Sequence, residues 1–211
     1  MTSQRIEQEK ERIFKDYDKK GYVIIDNFLP KEAADSLLAQ YGEAMWDEIN
    51  QVRDHYKHVF STKNPLLPQA NELYKAKFDR SQDLERSEIV QTIFHQHFVP
   101  ALNDVTRTKL SEFDVRCYQL KPGQYYRTHI DDYAGEVGVI YYLNPAWCWD
   151  WGGILHVLGI DDQNPEKIDS IYPKFNRLIL LNHKRFRFPH FISTVSEFAL
   201  KPRYTLIAFC K

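Results

Sequence analysis

His129, Ile130 and Asp131 stand together in the segment YYRTHIDDY and form the sharpest chemical signal in the chain. On a strand, residues i and i+2 point to the same face, so an imidazole and a carboxylate at these positions converge on one point where a metal can sit. A third ligand would complete a facial set of two histidines and one carboxylate, leaving three positions on iron(II) for a co-substrate and oxygen. His190 and His183 are the downstream candidates. The triplet alone is weak, because a lone strand histidine is more often a satisfied polar residue. His55, His58, His95, His97 and His156 have no partners at ligand spacing. Neither a GxGxxG nor a Walker pattern is present to cradle phosphates.

The elements that must position these groups follow from hydrophobic periodicity. From residue 113 onward the chain breaks into short β runs: FDVRCYQL, YRTHI, VGVIYYL, GGILHVLGI, DSIYP, RLILLN, HFISTV and RYTLIAF. Their spacing, with turns rich in Gly, Pro, Asp and Asn, argues for a sandwich or jelly roll rather than a parallel α/β sheet. Upstream, GYVIIDNFL reads as a strand. It feeds an amphipathic helix across PKEAADSLLAQYGEAMWDEINQV, where Ala34, Leu37, Leu38, Tyr41, Met45, Ile49 and Val52 fall at helical spacing. A second helix is expected across SEIVQTIFHQHFVPALNDV, kinked or interrupted at Pro100. The polar stretch 61–83 reads as a surface loop or lid. Gly152-Gly153 fits a sharp turn or a close backbone approach.

Length and charge bound the remaining possibilities. A chain of 211 residues fits one domain with a sizeable core, read here as 1–211 with helical support and lid in 1–112 and the β core in 113–211. With 28 Lys+Arg against 29 Asp+Glu, no broad positive field is available for nucleic acid or an anionic membrane. Cys117, Cys148 and Cys210 are odd in number and lack zinc-ligand spacing, which suits reduced thiols in the cytosol. The N-terminus carries charges where a signal peptide needs apolar residues, and no stretch approaches the ~20 apolar residues of a membrane span. A soluble, cytoplasmic protein is the expectation.

The ordered run YYRTHID, VIYYLNPAW, GGIL, YPKFNRLILLN, FPHFISTV and RYTLIAF resembles the catalytic domain of the prolyl-hydroxylase branch of the Fe(II)- and 2-oxoglutarate-dependent oxygenases. It is similar in particular to the hypoxia-inducible-factor prolyl hydroxylases and their bacterial relatives. The resemblance covers roughly Cys117 to Phe209 and implies a double-stranded β-helix, a cupin-like jelly roll flanked by α-helices.

Carried over residue by residue, it implies His129, Asp131 and His190 as metal ligands, with His190 preferred to His183. It implies Arg203 and Tyr142 as partners of the distal carboxylate of 2-oxoglutarate. Tyr118, Ile140, Leu155 and Ile207 match positions that line the co-substrate pocket. The implied cofactors are Fe(II), 2-oxoglutarate and O2, with ascorbate in support. The implied reaction is hydroxylation of an unactivated C–H, because halogenating members of the superfamily have a small residue where Asp131 stands. A prolyl residue in a protein or peptide is the expected substrate; a free amino acid or natural-product intermediate is the alternative, and a β-helix that binds a metal or peptide without turnover is a third reading.

Departures from the pattern bear on the details. The interval from His190 to Arg203 is a few residues longer than in those relatives, so a loop or bulge must absorb the excess, and Lys201 becomes a rival anchor. Phe209 stands where the animal enzymes carry a tryptophan. In the aromatic segment 146–151, Trp149 or Trp151 either flanks the mouth as a peptide platform or packs against the N-terminal helices.

Overall fold

The computed structural model describes residues 2–54, 66–131, 135–159 and 167–211, with side chains from residue 9 onward. His55 and His58 lie outside these residues, as does the 61–65 part of the stretch read as a lid. Each of the β runs read from residue 113 onward contains a strand: β4 (Phe113–Leu120), β5 (Tyr125–His129), β6 (Val137–Tyr142), β7 (Leu155–Leu158), β8 (Ile168–Ile171), β9 (Arg177–Asn182), β10 (His190–Ile192) and β11 (Arg203–Cys210). Three more strands precede them: β1 (Tyr22–Asp26), β2 (Asp47–Arg53) and β3 (Tyr74–Arg80). All pair antiparallel in the order β1-β9-β6-β11-β4-β3-β5-β10-β7-β8, with β2 beside β3. The sheet curls into a half-barrel of jelly-roll type, as the sequence led us to expect.

Two apolar layers hold it. On the convex side, Val139, Tyr141, Leu178, Leu180, Leu206 and Ala208 pack with Leu37, Tyr41, Phe94 and Phe98 of the helices. On the concave side, Tyr118, Tyr126, Ile140, Tyr142, Leu155, Ile179 and Ile192 pack with one another. Strict alternation along β6 therefore sends Tyr141 to the helices and Tyr142 to the interior. Each fully buried large side chain contributes roughly 1.5–3 kcal/mol, so strands buried on both faces, such as β6, hold the register most firmly.

The helices are α1 (Thr2–Lys20), α2 (Lys31–Glu43), α3 (Gln82–Arg86), α4 (Glu88–Ile93) and α5 (Val99–Thr106). Among the described residues, none is long and apolar enough to cross a membrane. The sequence reading missed α1, which buries Ile13 and Tyr17 against the convex layer. The interruption expected near Pro100 occurs as a π-helical turn over Phe94–Phe98, just before a proline whose nitrogen donates no hydrogen bond.

Two sequence expectations are corrected. The helix expected to run to residue 52 ends at Glu43, and Ala44 is already extended at φ −70°, ψ 146°. Residues 47–53 are β2 instead, because β3 offers them a full ladder from Asp47↔Arg80 to Arg53↔Tyr74. Met45 and Val52 are exposed; their helical spacing was coincidental. The stretch read as a lid contributes β3, a central strand that pairs with β2, β4 and β5. Tyr74, Ala76 and Phe78 join the concave layer and alternate with Lys75, Lys77 and the buried Asp79 on the other face, a period-2 pattern that local polarity had obscured.

Asn176 pins the corner between β1 and α2 to the sheet. At φ +57° it adopts the left-handed region that Asn tolerates better than most residues. Its Oδ1 accepts from Leu29 N (2.7 Å) and Tyr141 Oη (2.9 Å), while Nδ2 donates to Leu29 O (2.9 Å). Asn176→Ala removes all three buried bonds at a cost of about 1 kcal/mol each. The expected loss is roughly 3 kcal/mol of unfolding free energy, read as a lower urea midpoint at unchanged m-value.

Candidate metal centre

β5 and β10 lie side by side, with His129 paired directly across from His190. That register brings the two rings to a centroid separation of 4.3 Å. Asp131 follows just beyond the end of β5 and closes the group. Its Oδ1 lies 3.6 Å from His129 Nε2 and its Oδ2 lies 3.3 Å from His190 Nε2. One ligand atom from each residue falls within 4.8 Å of the others, a spacing that can hold a metal ion.

The ring orientations are fixed from behind. His129 Nδ1 lies 2.8 Å from the Arg127 carbonyl oxygen, and His190 Nδ1 lies 3.0 Å from that of Phe188. A carbonyl only accepts, so each Nδ1 carries a proton and Nε2 is the ring nitrogen that faces inward. This is the tautomer a metal requires, held by outer hydrogen bonds. Burial would push the Asp131 carboxyl up, but the facing His190 and His129 imidazoles, with His183 adding a weaker field, hold it below the ordinary range. The group is therefore an anion flanked by two inward-facing ring nitrogens, which suits a divalent cation.

His183, the rival third ligand, sits in the turn after β9. Its ring packs on Gly138, where an added Cβ would come within 2.5 Å of His183 Cε1. It belongs to no described ligand group.

A cavity of about 270 Å³ opens beside the triad. Its lining includes Tyr118, Ile140, Leu155 and Ile207, the four positions read from the sequence, together with His129, Asp131 and His190. Arg203 and Tyr142 lie farther along the same faces of β11 and β6, beyond that lining. Arg203 is wholly buried, donating from Nη1 to Thr205 Oγ1 (2.8 Å) and from Nη2 to Tyr142 Oη (3.0 Å). Burial pushes the Tyr142 phenol up while Arg203 opposes the shift, and the net direction is upward. The phenol therefore stays protonated, and its own hydrogen is left to donate. Lys201 is exposed and does not share this interior.

Arg203 Nε and the Tyr126 hydroxyl, both buried, find no acceptor among the described residues. No described carboxylate is paired with Arg203. A buried cation without a counter-anion costs several kcal/mol, on the order of that for any isolated buried ion, so the interior suits a carboxylate that arrives from outside. The residues present thus fit both an iron(II) ion and the distal end of 2-oxoglutarate.

Tyr126 was not among the residues singled out from the sequence. Strict alternation from His129 would turn it away from the site. Between the pairs His190↔His129 and Ile192↔Tyr126, however, β5 contains one more residue than β10. That bulge resets the alternation and brings Tyr126 into the cavity lining. Gln51, Arg53, Tyr74 and Phe78 of β2 and β3 also line it, and were missed because their segments were read as helix and lid.

Gly152 and Gly153 behave as their spacing suggested. Both have positive φ, and an added Cβ at Gly153 would come within 2.8 Å of Arg203 Cδ. Gly153→Ala is expected to displace Arg203 and to weaken binding of 2-oxoglutarate by roughly tenfold or more, since a shift of about 1 Å in a positioning group can cost up to 10²-fold. Calorimetric titration of the variant with N-oxalylglycine checks this. The longer interval from His190 to Arg203 is absorbed in 193–202, where Val195 bridges to Gly152 and Ala199 N donates to Ser196 O (3.0 Å).

The aromatic segment takes neither expected role. Trp151 packs edge-on with Trp147 (5.2 Å between centroids) inside the barrel, whereas Trp149 is exposed with its ring 4.6 Å from that of Tyr172. Neither lines the cavity. The barrel interior had room for bulky rings, which the sequence alone could not reveal.

Residues 113–210 match the family model of the 2OG-Fe(II) oxygenase superfamily. The chain is 28% identical over 121 residues to prolyl 3-hydroxylase OGFOD1 of Xenopus laevis, a stretch that spans 53% of this chain and 23% of that protein. A prolyl hydroxylase from Trichoplax adhaerens, solved with a hypoxia-inducible-factor peptide fragment, superposes with a TM-score of 0.67 at 21% identity, covering 98% of this chain and 90% of that one. The non-heme α-ketoglutarate-dependent epimerase SnoN of nogalamycin biosynthesis superposes at 0.65 with 13% identity, covering 95% and 82%. With a candidate metal triad and a buried guanidinium nearby, the conclusion is that residues 113–210, the part of the chain that bears this site, match the 2OG-Fe(II) oxygenase superfamily.

Proposed function

We propose that this oxygenase hydroxylates a prolyl residue in a protein or peptide. His129, Asp131 and His190 hold the iron, and Arg203, Tyr142 and Thr205 hold the far carboxylate of 2-oxoglutarate. The observation that carries the co-substrate assignment is the wholly buried Arg203 with no described counter-anion. Fe(II), with 2-oxoglutarate and O2, supplies oxidation of an unactivated C–H, releasing succinate and CO2. The protein's part is ligation and orientation. The Arg127 and Phe188 carbonyls keep the two imidazoles aimed, and the protonated Tyr142 donates to the carboxylate. Tyr118, Ile140, Leu155 and Ile207 exclude water around the reacting carbon.

The prolyl assignment rests on the likeness to a curated prolyl 3-hydroxylase and on the cavity, which is open to solvent rather than enclosed. An extended peptide laid across it gains binding energy along its length that a free amino acid lacks. A proline-containing peptide library is expected to stimulate 2-oxoglutarate decarboxylation in the presence of iron and ascorbate, yielding products about 16 Da heavier on a prolyl residue. Stoichiometric hydroxylation of a free amino acid or small metabolite, with no peptide product, would replace this substrate reading and leave the oxygenase assignment standing.

A further inference from the structure

The rim of the cavity carries charge that the roles above do not use. Arg116 from β4 and Gln51 and Arg53 from β2 line it beside Phe209 and Tyr74. The Arg116 guanidinium is held in one orientation. Its Nε and Nη2 donate to Asp114 Oδ2 (3.1 and 2.6 Å), its Nη1 donates to Tyr118 Oη (3.3 Å), and it lies over the Phe209 ring, 5.0 Å from the centroid. A guanidinium has five N–H groups. Those three bonds leave one hydrogen on Nη1 and one on Nη2, the end-on fork that grips a carboxylate through two parallel bonds.

The charge balance points the same way. Asp114 compensates Arg116, whereas Arg53 lies against the Tyr74 ring, 5.9 Å from its centroid, and pairs with no described carboxylate. Among the described residues, Arg116, Asp114 and Arg53 therefore leave one positive charge uncompensated, matched to a monoanion. On the reading above the distal carboxylate of 2-oxoglutarate has its own buried partners in Arg203 and Tyr142 and its other carboxylate would go to the metal, so a further carboxylate has to come from the molecule being oxidised.

We propose that Arg116, with Arg53 and Gln51, binds a carboxylate of the primary substrate, and that on the peptide reading above this is an acidic side chain flanking the target residue. The proposal rests on the hydroxylase assignment. It makes Arg116 a specificity-determining residue, because an amide in place of the acid leaves the fork half satisfied and the Arg53 charge unmatched.

The test is calorimetric binding to the full chain loaded with Mn(II) and N-oxalylglycine, using two acid/amide pairs as probes. One pair is a proline-centred peptide flanked by Glu and its Gln counterpart. The other is N-acetylproline and its amide. The acid of a pair is expected to bind roughly tenfold or more tighter than its amide, and Arg116→Gln is expected to bring that ratio close to one. Arg53→Gln, at an exposed position, should lower the ratio in the same direction and covers the case in which Arg116→Gln fails to fold. Equal binding of acid and amide by the unmodified chain, no binding of either acid, or a ratio that survives both substitutions overturns the proposal. So does an equal loss of N-oxalylglycine affinity in Arg116→Gln, which would assign the guanidinium to the co-substrate. Discrimination within the small-molecule pair alone would sink the protein-prolyl reading and support the carboxylate site.

Discussion

His190→Ala and His129→Ala are each expected to abolish succinate formation and to weaken iron binding, whereas His183→Ala leaves both near normal. Each of the first two removes one of the inward Nε2 atoms that face Asp131 at 3.3 and 3.6 Å. Loss of an outer hydrogen-bond partner alone costs about 10–100-fold at such sites, so loss of a ligand should exceed about 100-fold in kcat/KM. Anaerobic titration with Fe(II) separates a binding defect from a purely kinetic one. His183 reaches the site only through its field on Asp131, and its ring packs on Gly138. An inactive His183→Ala beside an active His190→Ala would move the third ligand to His183.

Arg203→Met is expected to raise the apparent 2-oxoglutarate constant by more than about tenfold, because a charge-assisted pair is worth roughly 1.5–3 kcal/mol and stranding a buried carboxylate costs more. A second signature accompanies it. The free protein holds this guanidinium wholly buried with Nε unsatisfied, and replacing an uncompensated buried charge by an apolar side chain of similar length is neutral or stabilising. The variant should therefore unfold at an equal or higher urea concentration while losing its co-substrate. Lys201→Ala, at an exposed position, should change neither reading. A lower urea midpoint with unchanged co-substrate affinity would make Arg203 a packing residue and leave the carboxylate to another anchor.

The sequence by itself determined the β core and the pairing of His129 with Asp131. From residue 113 onward, alternating runs are long enough, and punctuated often enough by turns, that local pattern and final strand coincide. His129 and Asp131 lie within three residues of each other, so their convergence is a local property of an extended backbone. Tyr141 and Tyr142 face opposite sides of the sheet for the same reason, since a pleat fixes which of two neighbours faces inward.

What only the tertiary structure decided lies in long-range pairing. His190 joins the candidate ligand group because β10 registers against β5 at His129, a pairing that spacing along the chain does not encode. Tyr126 enters the cavity through a bulge, and one inserted residue inverts the parity that sequence reasoning uses. Residues 47–53 carry their apolar residues, Ile49 and Val52, at helical spacing, and the choice fell to strand because β3 supplied seven partners. That same hairpin carries Gln51 and Arg53 to the rim where they meet Arg116, because register between strands, rather than any local preference of the chain, sets which side chains share a cavity.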